Sequence, residues 1–157
     1  MMQVPLPDSR NNLVLSPLLP ADRASWEVLA RGYKAFYKTE TSAAEYETTW
    51  NRLLQRDDVF GIGAKVDGRL IGIAHYLFHT SAWVAKICYL QDLFVAPEVR
   101  GKGTARALIE AVAAAAREAQ ATRYYWLTQE NNAVARVLYD KVAKHNGFIR
   151  YDFPLHE

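Results

Sequence analysis

Between Ile87–Val95, a mostly apolar run broken by Gln91-Asp92, and Thr122–Leu127, which reads as a buried strand, the chain sets Ala105, Leu108, Ile109, Val112, Ala115, Ala116 and Ala119 at helical spacing. A 3.6-residue period sustained over that length marks a helix with one buried face. A strand, a helix and a second strand in that order force the two strands to run parallel. No hairpin can join them, and such crossovers are nearly always right-handed. Whatever sheet the chain builds must therefore contain this parallel pair.

The remaining strands read as antiparallel. Val59–Val66 and Leu70–Phe78 flank Asp67-Gly68, a two-residue hairpin signal. A short strand is expected at Leu13–Leu15. Pro20 opens a helix with Trp26, Leu29, Ala30, Tyr33 and Tyr37 on one face. Ser42 and Glu45 form a capping box for a second helix, whose stripe is Tyr46, Trp50, Leu53 and Leu54. Asn131 caps a last helix carrying Val134, Val137, Leu138 and Val142; Gly147 stops it, and Phe148–Phe153 makes a final strand. The order β-α-α-β-β-β-α-β-α-β over 13–157, behind a loose leader at 1–12, reads as one α/β domain.

Composition narrows the function classes. Half of the 157 residues are apolar, enough for a sizeable core, so a disordered chain is excluded. Cys88 is the only cysteine, which excludes an intrachain disulfide framework and a cysteine-based zinc cluster. No apolar run approaches the roughly 20 residues needed to span a bilayer. The N-terminus lacks a basic stretch followed by an apolar core. A cytoplasmic protein is expected. Net charge is only +2, but residues 99–150 hold nine Lys/Arg against four Asp/Glu. A polyanionic ligand is expected there, though no nucleic-acid-recognition motif accompanies the charge.

The sharpest local feature is Arg100-Gly101-Lys102-Gly103-Thr104-Ala105, between a strand and a helix. The first amides of a helix have no intrahelical partner and carry partial positive charge. Glycines let backbone approach a ligand without a Cβ in the way. Together they suit a diphosphate, with Arg100, Lys102 and Arg106 adding charge; an ordinary βα turn with surface basic residues is the alternative. Two other phosphate loops do not fit. The spacing of a Walker loop is absent, and the dinucleotide fingerprint would need glycine where Arg106 stands.

With these residues the chain resembles the GNAT (GCN5-related) N-acetyltransferases. Arg100 to Ala105 fits their R-x-x-G-x-G/A signature, after L-F-V-A-P and before a long amphipathic helix. Asn132, Ala135, Leu138 and Tyr139 match a second motif, N-x-x-A-x-x-L-Y, followed by Gly147-Phe148. The stretches YLQDLFV, YYWLTQENN and LYDKVAKHNGFIRY look closest to a subgroup with fungal acetyltransferases of histone tails, polyamines and D-amino acids. Two departures stand out. The spacing from Tyr139 to Gly147 is about four residues longer than usual. One strand follows the last helix where most members have two; the missing strand comes from another subunit or is absent.

The resemblance implies a mixed, mostly antiparallel sheet with a central splayed parallel pair, flanked by four helices. It implies transfer of acetyl from acetyl-CoA to a primary amine: a small amine, polyamine, amino acid or lysine side chain. The alternative is a protein that binds acyl-CoA as a sensor without turnover. The diphosphate would sit on the amides of Arg100, Gly101, Lys102, Gly103, Thr104 and Ala105. Leu93, Phe94 and Val95 would offer a backbone edge to the pantetheine arm, and Asn132 a polar anchor. Tyr139 holds the family's position for the general acid, or else packs its ring on the core. Asp92, a carboxylate in an otherwise apolar strand, would bind the acceptor ammonium or relay its proton, or else bond neighbouring amides. Glu130 is a weaker candidate. His75 and His79 lie two steps apart on one strand face with no evident third ligand, so both read as structural and no metal is expected. Cys88 reads as a small core residue. Glu40, Glu45 and Glu47 lie among Tyr33, Phe36, Tyr37, Tyr46 and Trp50, and suit a cationic acceptor or form a solvated helix face. Trp83 and Trp126 line the pocket or fill the core. A homodimer is the family-based expectation.

Overall fold

The structure, a computed structural model, describes residues 12–156. All of the expected leader except Asn12 lies outside these residues. The chain forms two compact units that divide after Leu127.

In the first unit, β1 (Leu13–Pro17) leads through a short 3-10 turn into α1 (Arg23–Phe36), then α2 (Ala43–Gln55). The strands β2 (Val59–Val66), β3 (Arg69–His79) and β4 (Ile87–Val95) follow, then α3 (Thr104–Glu118) and β5 (Arg123–Trp126). The five strands lie in sequence order, β1-β2-β3-β4-β5. The first three pairings are antiparallel, and β4 pairs with β5 in parallel, as the strand–helix–strand reading requires. Asp67 and Gly68 both take positive φ, 50° and 80°, the conformation a tight hairpin demands between β2 and β3.

The helices divide between the two faces of the sheet. Ile73 packs in a cluster with Trp26, Leu29 and Ala30 of α1 and with Tyr46, Trp50 and Leu53 of α2. Its neighbour Gly72 faces α3: a Cβ there would stand 3.0 Å from Leu108 Cδ1 and 3.2 Å from Thr104 Cγ2. Successive strand residues point to opposite faces, so α1 and α2 cover one side and α3 the other. On α3 the buried residues are Thr104, Leu108, Ile109, Val112 and Ala116, so the expected stripe holds, with Thr104 added at its start. Ser42 caps α2 by accepting from the Glu45 amide at 3.2 Å. The second half of the capping box differs, because the Ser42 hydroxyl itself donates to Glu45 Oε1 at 3.1 Å.

The second unit contains α4 (Ala133–Val142), capped by Asn132 rather than Asn131. The helix ends at Val142, well before Gly147. After Ala143, residues 144–146 read Lys-His-Asn and offer no apolar side chain to continue the stripe. The strand expected at Phe148–Phe153 does not form; the segment makes no sheet ladder. Among the described residues no helix is long and apolar enough to cross a membrane.

Leu108 is fully buried where α3 meets the sheet. Leu108→Ala is expected to lower unfolding free energy by about 2–5 kcal/mol in denaturant titrations. A loss below about 1 kcal/mol would show that α3 is not seated as described.

Candidate active site

A bulge in β4 creates the site. His75 pairs with Asp92, yet the next pair along is Tyr76 with Leu90, so Gln91 is an extra residue with no partner on β3. The parallel ladder to β5 covers only Ile87–Leu90 against Arg123–Trp126. From Gln91 onward β4 keeps its ladder to β3 and makes none with β5. The parallel ladder ends there because β5 itself ends at Trp126, so Leu93, Phe94 and Val95 lie on the stretch of β4 beyond it; the parallel pair, expected at the centre, has β5 outermost among the described strands.

The loop after β4 returns the chain to α3. Ala96 donates to the Ile71 carbonyl at 2.8 Å, and a 3-10 turn follows at Pro97–Val99. Arg100 folds back on the strand: its Nε donates to the Val95 carbonyl at 3.2 Å, and its guanidinium lies 5.2 Å from the Phe94 ring centre. Gly101 and Gly103 take φ of 82° and 84°, which a side-chain-bearing residue adopts only with strain. Gly103 is the N-cap of α3, and its carbonyl accepts from Ala107 at 3.0 Å. Glycine has no side chain to cap with, so the amides of Thr104, Ala105 and Arg106 have no partner within the helix. A Cβ on Gly101 would meet nothing within 4 Å, so the loop is open to solvent at that point. The cradle fits a diphosphate. Lys102 is exposed on the loop, and Arg106 pairs with Glu110 at 3.1 Å on the surface, a contact of little stabilising value.

On the α1 face a hydrogen-bonded chain runs through the bulge. The Trp26 indole N–H donates to His75 Nε2 at 2.9 Å, and His75 Nδ1 lies 2.9 Å from Asp92 Oδ2. The Tyr33 phenol lies near enough to feel the charge of the same carboxylate, and the Tyr37 ring stands 4.9 Å from that of Tyr33, centre to centre. Burial alone would raise the Asp92 carboxyl. The hydrogen bond from His75 and the positive charge of Lys34 outweigh it and hold the group below the ordinary carboxylate range. Burial, with the Asp92 charge, pushes the Tyr33 phenol well above its ordinary value. Gly32 permits this docking: a Cβ there would lie 2.8 Å from the Phe94 ring, so α1 comes close to β4.

Other sequence candidates fall elsewhere. Asn132 and Tyr139 belong to the second unit. There the Asn132 amide donates to Thr128 Oγ1 at 3.1 Å, and Tyr139 is half-buried on α4. Glu130 lends its carbonyl to Arg136 at 2.7 Å. Glu47 pairs with Arg23 at 3.0 Å and Glu45 serves the α2 cap, while Tyr46 and Trp50 are core. Trp83 is 92% exposed, so it fills no core. His79 bonds the Tyr125 hydroxyl at 3.0 Å. Cys88 is fully buried, and burial pushes its thiol up to about 11, so it remains protonated. Among the described residues no group of three or more His, Cys, Asp and Glu side chains could hold a metal ion.

Sequence reasoning placed Tyr33 among the aromatics suited to the acceptor but missed Trp26 as a partner of the site, and it took His75 for a structural residue without linking it to Asp92. Trp26 and Tyr33 stand seven apart on one helix face, which was legible. Their meeting with Asp92 depends on the strand register, which the bulge resets.

The lowered Asp92 carboxyl makes a prediction for acid unfolding. A group depressed in the folded state stabilises above its unfolded pKa, and that contribution is lost as pH falls through the folded value. The stability gap between wild type and Asp92→Asn should therefore hold steady from about pH 7 to pH 5 and close below about pH 4. A gap unchanged at the acid end would contradict the assignment.

Comparison with known proteins agrees with this geometry. Residues 26–143 match the family described as Acetyltransferase (GNAT) family. The D-amino-acid N-acetyltransferase HPA3 of Saccharomyces cerevisiae is 33% identical over 145 residues, covering 90% of each chain. The thialysine N-epsilon-acetyltransferase of Caenorhabditis elegans is 27% identical over 107 residues, 68% of this chain and 67% of that one. Among solved structures, the aminoglycoside N-acetyltransferase AAC(6')-Iy in complex with CoA superposes with a TM-score of 0.84 at 16% identity, over 98% of this chain and all of the other. The ribosomal-protein-alanine N-acetyltransferase of Brucella melitensis gives 0.73 at 22% identity, over 91% and 99%. With two motifs, the parallel strand pair and these relatives in agreement, the chain belongs to the GNAT family of acetyltransferases.

Proposed function

We propose that this acetyl-CoA-dependent N-acetyltransferase acts on a small cationic primary amine, by direct attack in a ternary complex. The observation that carries the reading is the uncapped start of α3 beside a β4 stretch that β5 does not ladder. The relatives named for D-amino acids and for thialysine support a small amine, with polyamines and lysine side chains as further members of the class.

When bound, acetyl-CoA supplies an acetyl group activated as a thioester. In this reading the amides from Arg100 to Arg106 hold the diphosphate, and Lys102 and Arg106 add positive charge. The backbone of Leu93, Phe94 and Val95 takes the pantetheine arm as an added strand, and Asn132 supplies a polar anchor. An N–H of Phe94 or Val95 polarises the thioester carbonyl; one such preorganised donor contributes roughly 2.7–4 kcal/mol.

Asp92 attracts and orients the acceptor ammonium. Asp92 relays a proton from the ammonium, directly or through water, to buffer base in bulk solvent, because a carboxylate held ionised does not itself retain a proton from an alkylammonium of pKa about 10. The neutral nitrogen then bonds to the acetyl carbon, the carbon–sulfur bond breaks, and the Tyr139 phenol donates its proton to the departing thiolate. A phenol near pKa 10 is well matched to a thiol near 8.5 for that transfer.

The same proposal places the enzyme in the cytoplasm as a homodimer. Phe148, Ile149, Tyr151, Phe153 and Leu155 are each 74% exposed or more, a row of apolar side chains suited to a second copy.

Two measurements test the reading. In a thiol-release assay across D- and L-amino acids, polyamines and lysine peptides, Tyr139→Phe should lower turnover about 100-fold or more while CoA affinity stays intact. Unchanged turnover would remove Tyr139 as the acid. Light scattering should give twice the chain mass, and a monomer at every concentration would overturn the dimer.

A further inference from the structure

We propose that His75 is a positioning residue for the acceptor amine. Trp26 holds it as the Nδ1–H tautomer, and His75 in turn fixes Asp92 with one oxygen bound to the sheet and the rest of the carboxylate turned to the acceptor's ammonium. The substrate in this statement rests on the N-acetyltransferase reading; the arrangement of the three side chains rests on geometry alone.

An indole nitrogen can only donate. Its 2.9 Å contact therefore obliges His75 Nε2 to accept, and the ring's proton must be on Nδ1, 2.9 Å from Asp92 Oδ2. An imidazolium would set an N–H against the indole N–H. That would bury two opposed donors in a place where Trp26 is 1% and His75 7% exposed. The ring thus gives a proton to the hydrogen bond with Asp92 but cannot accept a second one. Negative charge stays on the carboxylate, and no proton passes inward past Trp26.

Every ionisable group facing the carboxylate agrees with this arrangement. His75 comes from β3, and Tyr33, Lys34 and Tyr37 come from α1. The Tyr33 phenol stands within reach of the Asp92 charge, and Lys34 contributes positive charge. The Asp92 side chain is 22% exposed against 9% for His75, so the chain opens to solvent at its acidic end. A carboxylate bonded on its inner side and flanked by tyrosine rings is a receptor for a cationic amine.

The test combines a spectroscopic readout of the resting protein with two variants. Nitrogen NMR of the His75 ring should show a neutral imidazole with Nδ1 protonated at neutral pH. His75→Leu removes the donor and should raise the acceptor KM about tenfold or more, with the KM for acetyl-CoA unchanged. His75→Asn keeps a carboxamide N–H close to the position of Nδ1 and should restore most of that loss. An Nε2–H tautomer or an imidazolium would overturn the proposal, as would an unchanged acceptor KM in His75→Leu. So would equal damage to both substrates, or no rescue by Asn. If the wild type acetylates no amine at all, the activity reading fails, and the tautomer measurement still decides the positioning claim.

Discussion

The site depends on one extra residue in a strand. Gln91 interrupts the pairing of β4 with β3, and at the same point the parallel ladder from β4 to β5 ends. A strand that continues past its neighbour's ladder has backbone donors and acceptors on that side to be satisfied by something else. In a chain that binds acetyl-CoA, the extended amide-bearing arm of that molecule is the natural complement. The bulge places Asp92 opposite His75, so the features proposed for the cofactor and for the acceptor meet at the same point of β4.

The anion end of the site follows from a second economy of the chain. A glycine at the N-cap of α3 leaves three amides without an internal partner, which would be a defect in an ordinary helix. The helix is nonetheless well seated, because Thr104, Leu108 and Val112 are buried against the sheet. Tertiary packing secures the helix, and its first turn is left available. The basic side chains around that turn play unequal parts. Arg100 joins the loop back to the Val95 carbonyl, while Lys102 remains exposed.

Much of this was legible in the sequence where a pattern is local. The α3 stripe, the Asp67-Gly68 hairpin and the Ser42 cap each rest on a few neighbouring residues, and each appears in the structure. The glycine loop was legible for the same reason. The chain from Trp26 through His75 to Asp92 and Tyr33 was not, because three separate elements contribute to it and a bulge sets their register. The segment from Phe148 to Phe153 shows another limit. Its apolar content describes what these residues would bury, whereas a strand also requires a partner edge, and no ladder forms there among the described residues. The end of α4 at Val142 was not read either: Gly147 was expected to stop the helix, yet Lys144, His145 and Asn146 carry no stripe to extend it that far.

The central claim is that the stretch of β4 beyond its ladder to β5 and the first turn of α3 together form the acetyl-CoA site. Amide hydrogen exchange, followed residue by residue with and without CoA, tests it most directly. The account predicts slowed exchange at amides of Leu93, Phe94 and Val95 and at those from Gly101 to Arg106, with little change in β1 and β2. Protection confined to other elements, or none at saturating CoA, would contradict it.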